Sequence, residues 1–170
     1  IYFLPAPVSA AARTPLEPLG VGVAPRNLVL EGGPLTWSNL GALMTLGADR
    51  SPRELANRQR RITTVTRCDG RLAWIEVPYE GGERPRLMLL GAGEDRPRPL
   101  SELAAGKHDL LHCQKGALHW IFEGPQEDSW LMSASPSEGV SARALGSGPG
   151  VALTTLSGDL IWAEAHGSDS

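Results

Sequence analysis

Apolar positions in this chain fall in short runs separated by polar or turn-forming residues, and the runs recur in a fixed order. The clearest unit is Gly-x-Leu-x-Trp, found at Gly33 to Trp37, Gly70 to Trp74, Gly116 to Trp120 and Gly158 to Trp162. Leu and Trp, two residues apart, share one face of a strand. An apolar or β-branched segment precedes each copy: Asn27 to Leu30, Ile62 to Thr66, Asp109 to Cys113 and Val151 to Thr155. Between segment and motif stand Gly32-Gly33, Asp69-Gly70, Lys115-Gly116 and Ser157-Gly158, so every copy predicts a β-hairpin closed by a tight turn.

Two further landmarks keep step with the hairpins. Met44, Met88 and Met132 each follow a Leu and are spaced 44 residues apart, and Tyr2-Phe3-Leu4-Pro5 fits as a fourth copy. Leu19, Leu55, Leu103 and Leu145 each close a polar segment. One repeat therefore reads as a hairpin, a variable loop, a Met strand and a polar outer strand. Helical spacing is scarce. The stretch from Ser51 to Arg60, with Ser51 as a cap, competes with an irregular edge strand at the same place. Four-stranded units of ~40–45 residues are the period of β-propeller blades.

The expected fold is all-β: one propeller domain, 1–170, with four blades of four antiparallel strands. The blades cover 20–55, 56–103, 104–145 and 146–170, the last completed by 1–19. From motif Trp to closing Leu the chain takes 18, 29 and 25 residues, and 27 from Trp162 through the chain ends to Leu19. The alternative is half of a larger, eight-bladed ring, as a fragment or completed by a second copy. The absence of an initiator Met at Ile1 points to processing or trimming.

The string from Asp69 to Glu76 (Asp-Gly-Arg-Leu-Ala-Trp-Ile-Glu) resembles the blade signature of TolB-like propellers and of the propeller domains of prolyl-oligopeptidase-type peptidases. The resemblance implies a propeller of bacterial type that presents loops to partners. The Trp-Asp dipeptide of WD-type propellers is missing.

Composition narrows the class. No apolar run approaches the ~18 residues of a membrane span. A net charge of −3 with mixed signs gives no footprint for nucleic acid. Cys68 and Cys113 sit two and three residues before their motif glycines, an offset that predicts buried free thiols. They leave the compartment open, with a soluble periplasmic or secreted chain among the choices.

The motif residues Trp37, Trp74, Trp120 and Trp162, with Gly33, Gly70, Gly116 and Gly158, read as structural repeat positions, the tryptophans packing between blades. Trp130, outside the motif, is either a buried edge residue or a contact on the blade exterior. Of four histidines, His112 and His119 lie on adjoining strands, but a zinc site wants about four ligands. Glu76 and Glu164 share the position two after Trp and are expected to be surface charges. The basic run from Arg58 to Arg61 reads as a solvated loop. No nucleophile elbow, phosphate loop, HExxH or EF-hand string occurs.

The function expected is a non-catalytic binding or scaffolding module for a protein, peptide or small ligand, or for a second copy of itself in a homodimer. Its loops at 78–85, 124–129 and 167–170 would surround the channel. His112, His119, Glu31 and Trp130 are the candidate ligand contacts; no catalytic residue, metal or cofactor is assigned. The rivals are a propeller hydrolase or lyase with an axial cation, and the accessory propeller of a peptidase whose catalytic domain lies elsewhere.

Overall fold

A computed structural model describes residues 2–3, 17–18, 25–30, 33–39, 41–47, 49, 51–56, 59–80, 82–126, 128–135, 139–147, 152–156 and 159–163. Every regular element among them is a strand. The first four-stranded antiparallel sheet contains β3 (Pro25–Val29), β4 (Thr36–Asn39), β5 (Ala42–Leu46) and β6 (Pro52–Ala56). The second has β7 (Arg60–Cys68), β8 (Arg71–Pro78), β9 (Arg86–Leu90) and β10 (Arg98–Glu102), and the third β11 (Lys107–Gln114), β12 (Ala117–Glu123), β13 (Asp128–Ser135) and β14 (Gly139–Ser147). In each the strands pair in chain order. Two hairpin-like sheets remain: β15 (Ala152–Leu156) with β16 (Asp159–Ala163), and β1 (Tyr2–Phe3) with β2 (Glu17–Pro18). A hydrogen-bonded join between β16 and β1 is not among the described pairings.

The segment from Ser51 resolves as the edge strand β6, not a helix. Ser51 instead hydrogen-bonds the Asp49 carboxylate through its Oγ (2.7 Å) and its backbone N–H (3.2 Å), a local turn that opens the strand.

Two of the motif glycines take the turn conformation expected of them, and a third, Gly33, differs. Asp69-Gly70 and Lys115-Gly116 carry φ of 49° and 73°, and of 49° and 79°, the left-handed pairs of a two-residue hairpin turn. At Gly33 the neighbour is a side chain, the Arg67 guanidinium. A Cβ there would lie 2.7 Å from the guanidinium carbon of Arg67, which crosses from β7 to donate to Pro34 O (2.8 Å) and Thr36 Oγ1 (3.0 Å).

The edge strands β3, β7, β11 and β15 touch one another in that order, so they are the innermost strands and the sheets fan around them as blades. Strand alternation supplies the mortar. In β8, Leu72 and Trp74 pack toward the first blade with Leu43, Val65 and Met88, while Ala73 and Ile75 pack toward the third with Leu111, Leu118 and Trp120. In β12, Trp120 faces the second blade and Ile121 faces Leu153 of β15. Trp37, Trp74 and Trp120 are fully buried; Trp74 and Trp120 pack between blades, and Trp37 packs with Leu35, Met44 and Leu46 of its own blade.

The cysteines correct one expectation. Cys68 and Cys113 form a disulfide, with Cα atoms 5.2 Å apart, and are not free thiols. The one-residue offset from the motif glycines does not keep them apart, because β7 and β11 belong to different sheets and share no hydrogen-bonded register. The bond staples the innermost strands of the second and third blades.

Candidate functional site: the inner-strand mouth

Each innermost strand of the three full blades contains one extra residue near its start. The register slips between Arg26 and Val29 in β3, between Ile62 and Thr64 in β7, and between Asp109 and His112 in β11. In the first and third, a residue in left-handed conformation absorbs the slip: Asn27 (φ 51°) and Leu110 (φ 57°). Asn27 tolerates this conformation readily, and its side-chain amide donates to Thr63 O (3.0 Å) and Ser38 Oγ (3.2 Å), tying β3 to β7. Leu110 is held by packing against the cluster of Ile121, Leu131, Leu145 and Leu153. From the next residue the Leu111 N–H donates to Thr64 Oγ1 (3.1 Å), tying β11 to β7. The bulges thus exchange contacts within each sheet for contacts between blades.

These strand starts border an open cavity of about 520 Å³, lined by Arg26, Asn27, Arg61, Ile62, Thr63, Lys107, His108 and Asp109. Two of the variable loops, those between β8 and β9 and between β12 and β13, lie at the same end. Arg60, at the start of β7, bonds the Glu83 carboxylate and the Arg84 carbonyl of the β8–β9 loop. Lys107, at the start of β11, reaches Glu123 before the β12–β13 loop (3.1 Å) and Asp109 (3.8 Å). Arg60 and Arg61, expected in a solvated loop, therefore belong to a strand, and Arg60 is buried. At the opposite end, beside the hairpin turns, two notches of about 170 and 330 Å³ occupy successive inter-blade gaps. Gly116, Leu118 and Ala134 line the first where Gly70, Leu72 and Leu90 line the second. They repeat with the blades and follow from the architecture.

Behind the mouth, each buried tryptophan N–H must find an acceptor. In the second blade Trp74 Nε1 donates to Glu76 Oε1 (2.9 Å), and Arg60 Nε stands 3.8 Å from the other carboxylate oxygen. Glu76 is thus an indole acceptor, not the surface charge expected. In the third blade Phe122 fills that position and cannot accept. His108, its cross-strand partner, does so instead: Trp120 Nε1 donates to His108 Nδ1 (3.1 Å), and Phe122 stacks on the ring at 4.8 Å between centroids. Since Nδ1 accepts, the proton sits on Nε2, which donates to Ala104 O (2.8 Å). Burial depresses the His108 pKa, as the neutral tautomer demands. In the first blade Trp37 Nε1 and Asn39 Oδ1 hold the equivalent positions, buried and without partners among the described residues.

The sequence candidates do not gather at this mouth. His112 and His119 face each other across β11 and β12. His119 is half-buried, its Nδ1 2.8 Å from Ser133 Oγ, and burial lowers its pKa. Neither lines the cavity, and among the described residues no three potential metal ligands gather. Trp130 is half-buried on β13, opposite Phe122 and Ala144. Glu31, Gly158, Glu164 and the 167–170 loop lie outside the described residues, and Trp162 is placed by its backbone in β16. Arg26, Arg61, Lys107 and His108 were not singled out from the sequence as ligand contacts. Their common signal was position, at the start of the segment preceding each motif.

No protein-family model matches the chain, and no curated protein does. Among solved structures, the extracellular domain of a hybrid two-component system from B. thetaiotaomicron aligns with 86% of this chain at a TM-score of 0.58 and 16% identity. The chain spans about a fifth, 21%, of that structure's length. At this identity the likeness speaks to fold, and that neighbour is a propeller-type domain. With its three fanned four-stranded sheets, the chain is an all-β protein of the β-propeller fold.

Proposed function

We propose that this chain is a non-catalytic binding module whose ligand seats at the mouth formed by the starts of β3, β7 and β11. The observation that carries the reading is the cavity of about 520 Å³ there, at the end where the β8–β9 and β12–β13 loops are anchored. Binding sites favour concave surfaces bordered by loops on a rigid scaffold, and three bulged strands locked to one another supply that scaffold. The resemblance of residues 69–76 to TolB-like blades adds a protein or peptide to the ligands worth testing. The Cys68–Cys113 disulfide favours an oxidising compartment, periplasmic or extracellular, in keeping with the extracellular origin of the structural neighbour.

The test is a thermal-shift screen of small ligands and peptides on the wild type and on Thr63→Trp, which plugs the mouth. Ligands that raise Tm in the wild type and not in the plugged variant support the reading. Ligands that stabilise both alike would place the site elsewhere.

A further inference from the structure

We infer that the mouth is an oxyanion site, in which Arg26 and Arg61 clamp a multiply charged small carboxylate or phosphate. The inference rests on the mouth being the binding surface and adds the chemistry of what it holds. Four cations stand at or beside the inner-strand starts: Arg26, Arg60, Arg61 and Lys107. Two are committed. Arg60 is buried against Glu76 and Glu83, and Lys107 is neutralised by Glu123 and Asp109. Arg26 and Arg61 have no acidic partner among the described residues, and both line the cavity.

The asymmetry is informative because the chain as a whole is acidic, with a net charge of −3, and carboxylates are not scarce. With Lys107 and Asp109 paired to each other, the cavity lining is left with Arg26 and Arg61, so it is locally cationic. His108 adds no charge, since its Nδ1 is occupied by the Trp120 N–H. Two guanidiniums delivered from adjoining blades present planar donor forks, the geometry that suits carboxylate and phosphate oxygens. Asn27 ties the strands that carry them together, bonding the first inner strand to the carbonyl of Thr63 in the second. A cavity of this volume falls within the range of small-molecule sites, about 300–1,000 Å³.

Citrate and inorganic phosphate are the probes, titrated calorimetrically into wild type, Arg26→Gln, Arg61→Gln and Thr63→Trp at low and at physiological salt. Saturable binding that weakens with salt and falls at least tenfold in each arginine variant is expected, and the tighter probe identifies carboxylate or phosphate as the source. Loss of binding in Thr63→Trp with none in the arginine variants would overturn the clamp and leave the mouth as the site. Binding untouched by all three variants would overturn both the clamp and the mouth. If neither probe binds the wild type, the oxyanion inference fails, and the ligand screen alone then decides the mouth.

Discussion

The interior blade interfaces and the ends of the fan use the same repeat positions with opposite results. Leu28, Val65 and Leu111 each lie five residues before a motif glycine, on successive innermost strands. Val65 and Leu111 are 7% and 3% exposed, each packed against the preceding blade, whereas Leu28, at the first blade, is 49% exposed. At the other end Ile161 occupies the position of Ala73; Ala73 is wholly buried against the next blade and Ile161 is 42% exposed. A propeller blade is thus only half of its own core, and an end blade shows the half that its neighbour should cover. The half-blades β15–β16 and β1–β2 sum to one four-stranded unit. We propose that their joining makes 1–170 a single ring of four blades, with Leu28 and Ile161 at the seam.

The contrast can be broken from the interior outward. Trp74→Ala removes the largest side chain from the interface of the first and second blades and should cost about 3–5 kcal/mol in urea unfolding. Losing the Cys68–Cys113 staple, by reductant or by Cys68→Ser with Cys113→Ser, should cost about 2–4 kcal/mol for a bond closing a 45-residue separation, read as a lower Tm. His108→Leu strands the Trp120 N–H in the core and should cost about 1–3 kcal/mol in the same unfolding assay. Glu76→Gln keeps an acceptor for Trp74 while losing charge opposite Arg60, and should cost about 1 kcal/mol.

Acid should act through the same interior. Burial depresses the pKa of His108 and of His119 below the ordinary 6.5. The unfolded chain therefore takes up protons near pH 6.5 that the folded chain refuses, and stability is full above that value. It falls as pH drops from about 6.5 toward the lower folded values. Urea midpoints measured at pH 7.5 and 5.5 should show the decline. An unchanged midpoint would contradict the neutral, Nε2-protonated His108.

The hairpins and their order were legible because turn residues at Asp69-Gly70 and Lys115-Gly116, and Leu and Trp on one face after them, mark each hairpin in the sequence. The disulfide was not, because motif offsets predict register only between hydrogen-bonded strands, and β7 and β11 are not bonded. Glu76 looked like a surface charge because its partner, the Trp74 N–H, is a need created by burial. His108 was harder still, since the substitution it answers, Phe122 at the acceptor position, lies on a different strand. Arg26 and Arg61 resemble any solvated arginine until the bulges gather their strands around one cavity.

The seam is tested most directly by cross-linking. In the double variant Leu28→Cys and Ile161→Cys, with the native disulfide in place, mild oxidation should form a second disulfide within one chain. The product should keep the mass of an 18.1 kDa monomer and run more compactly on a non-reducing gel. A dimer band would show that a second copy completes the ring, and no cross-link at all would mean that the two ends do not meet. Either result would contradict the four-bladed closure proposed here.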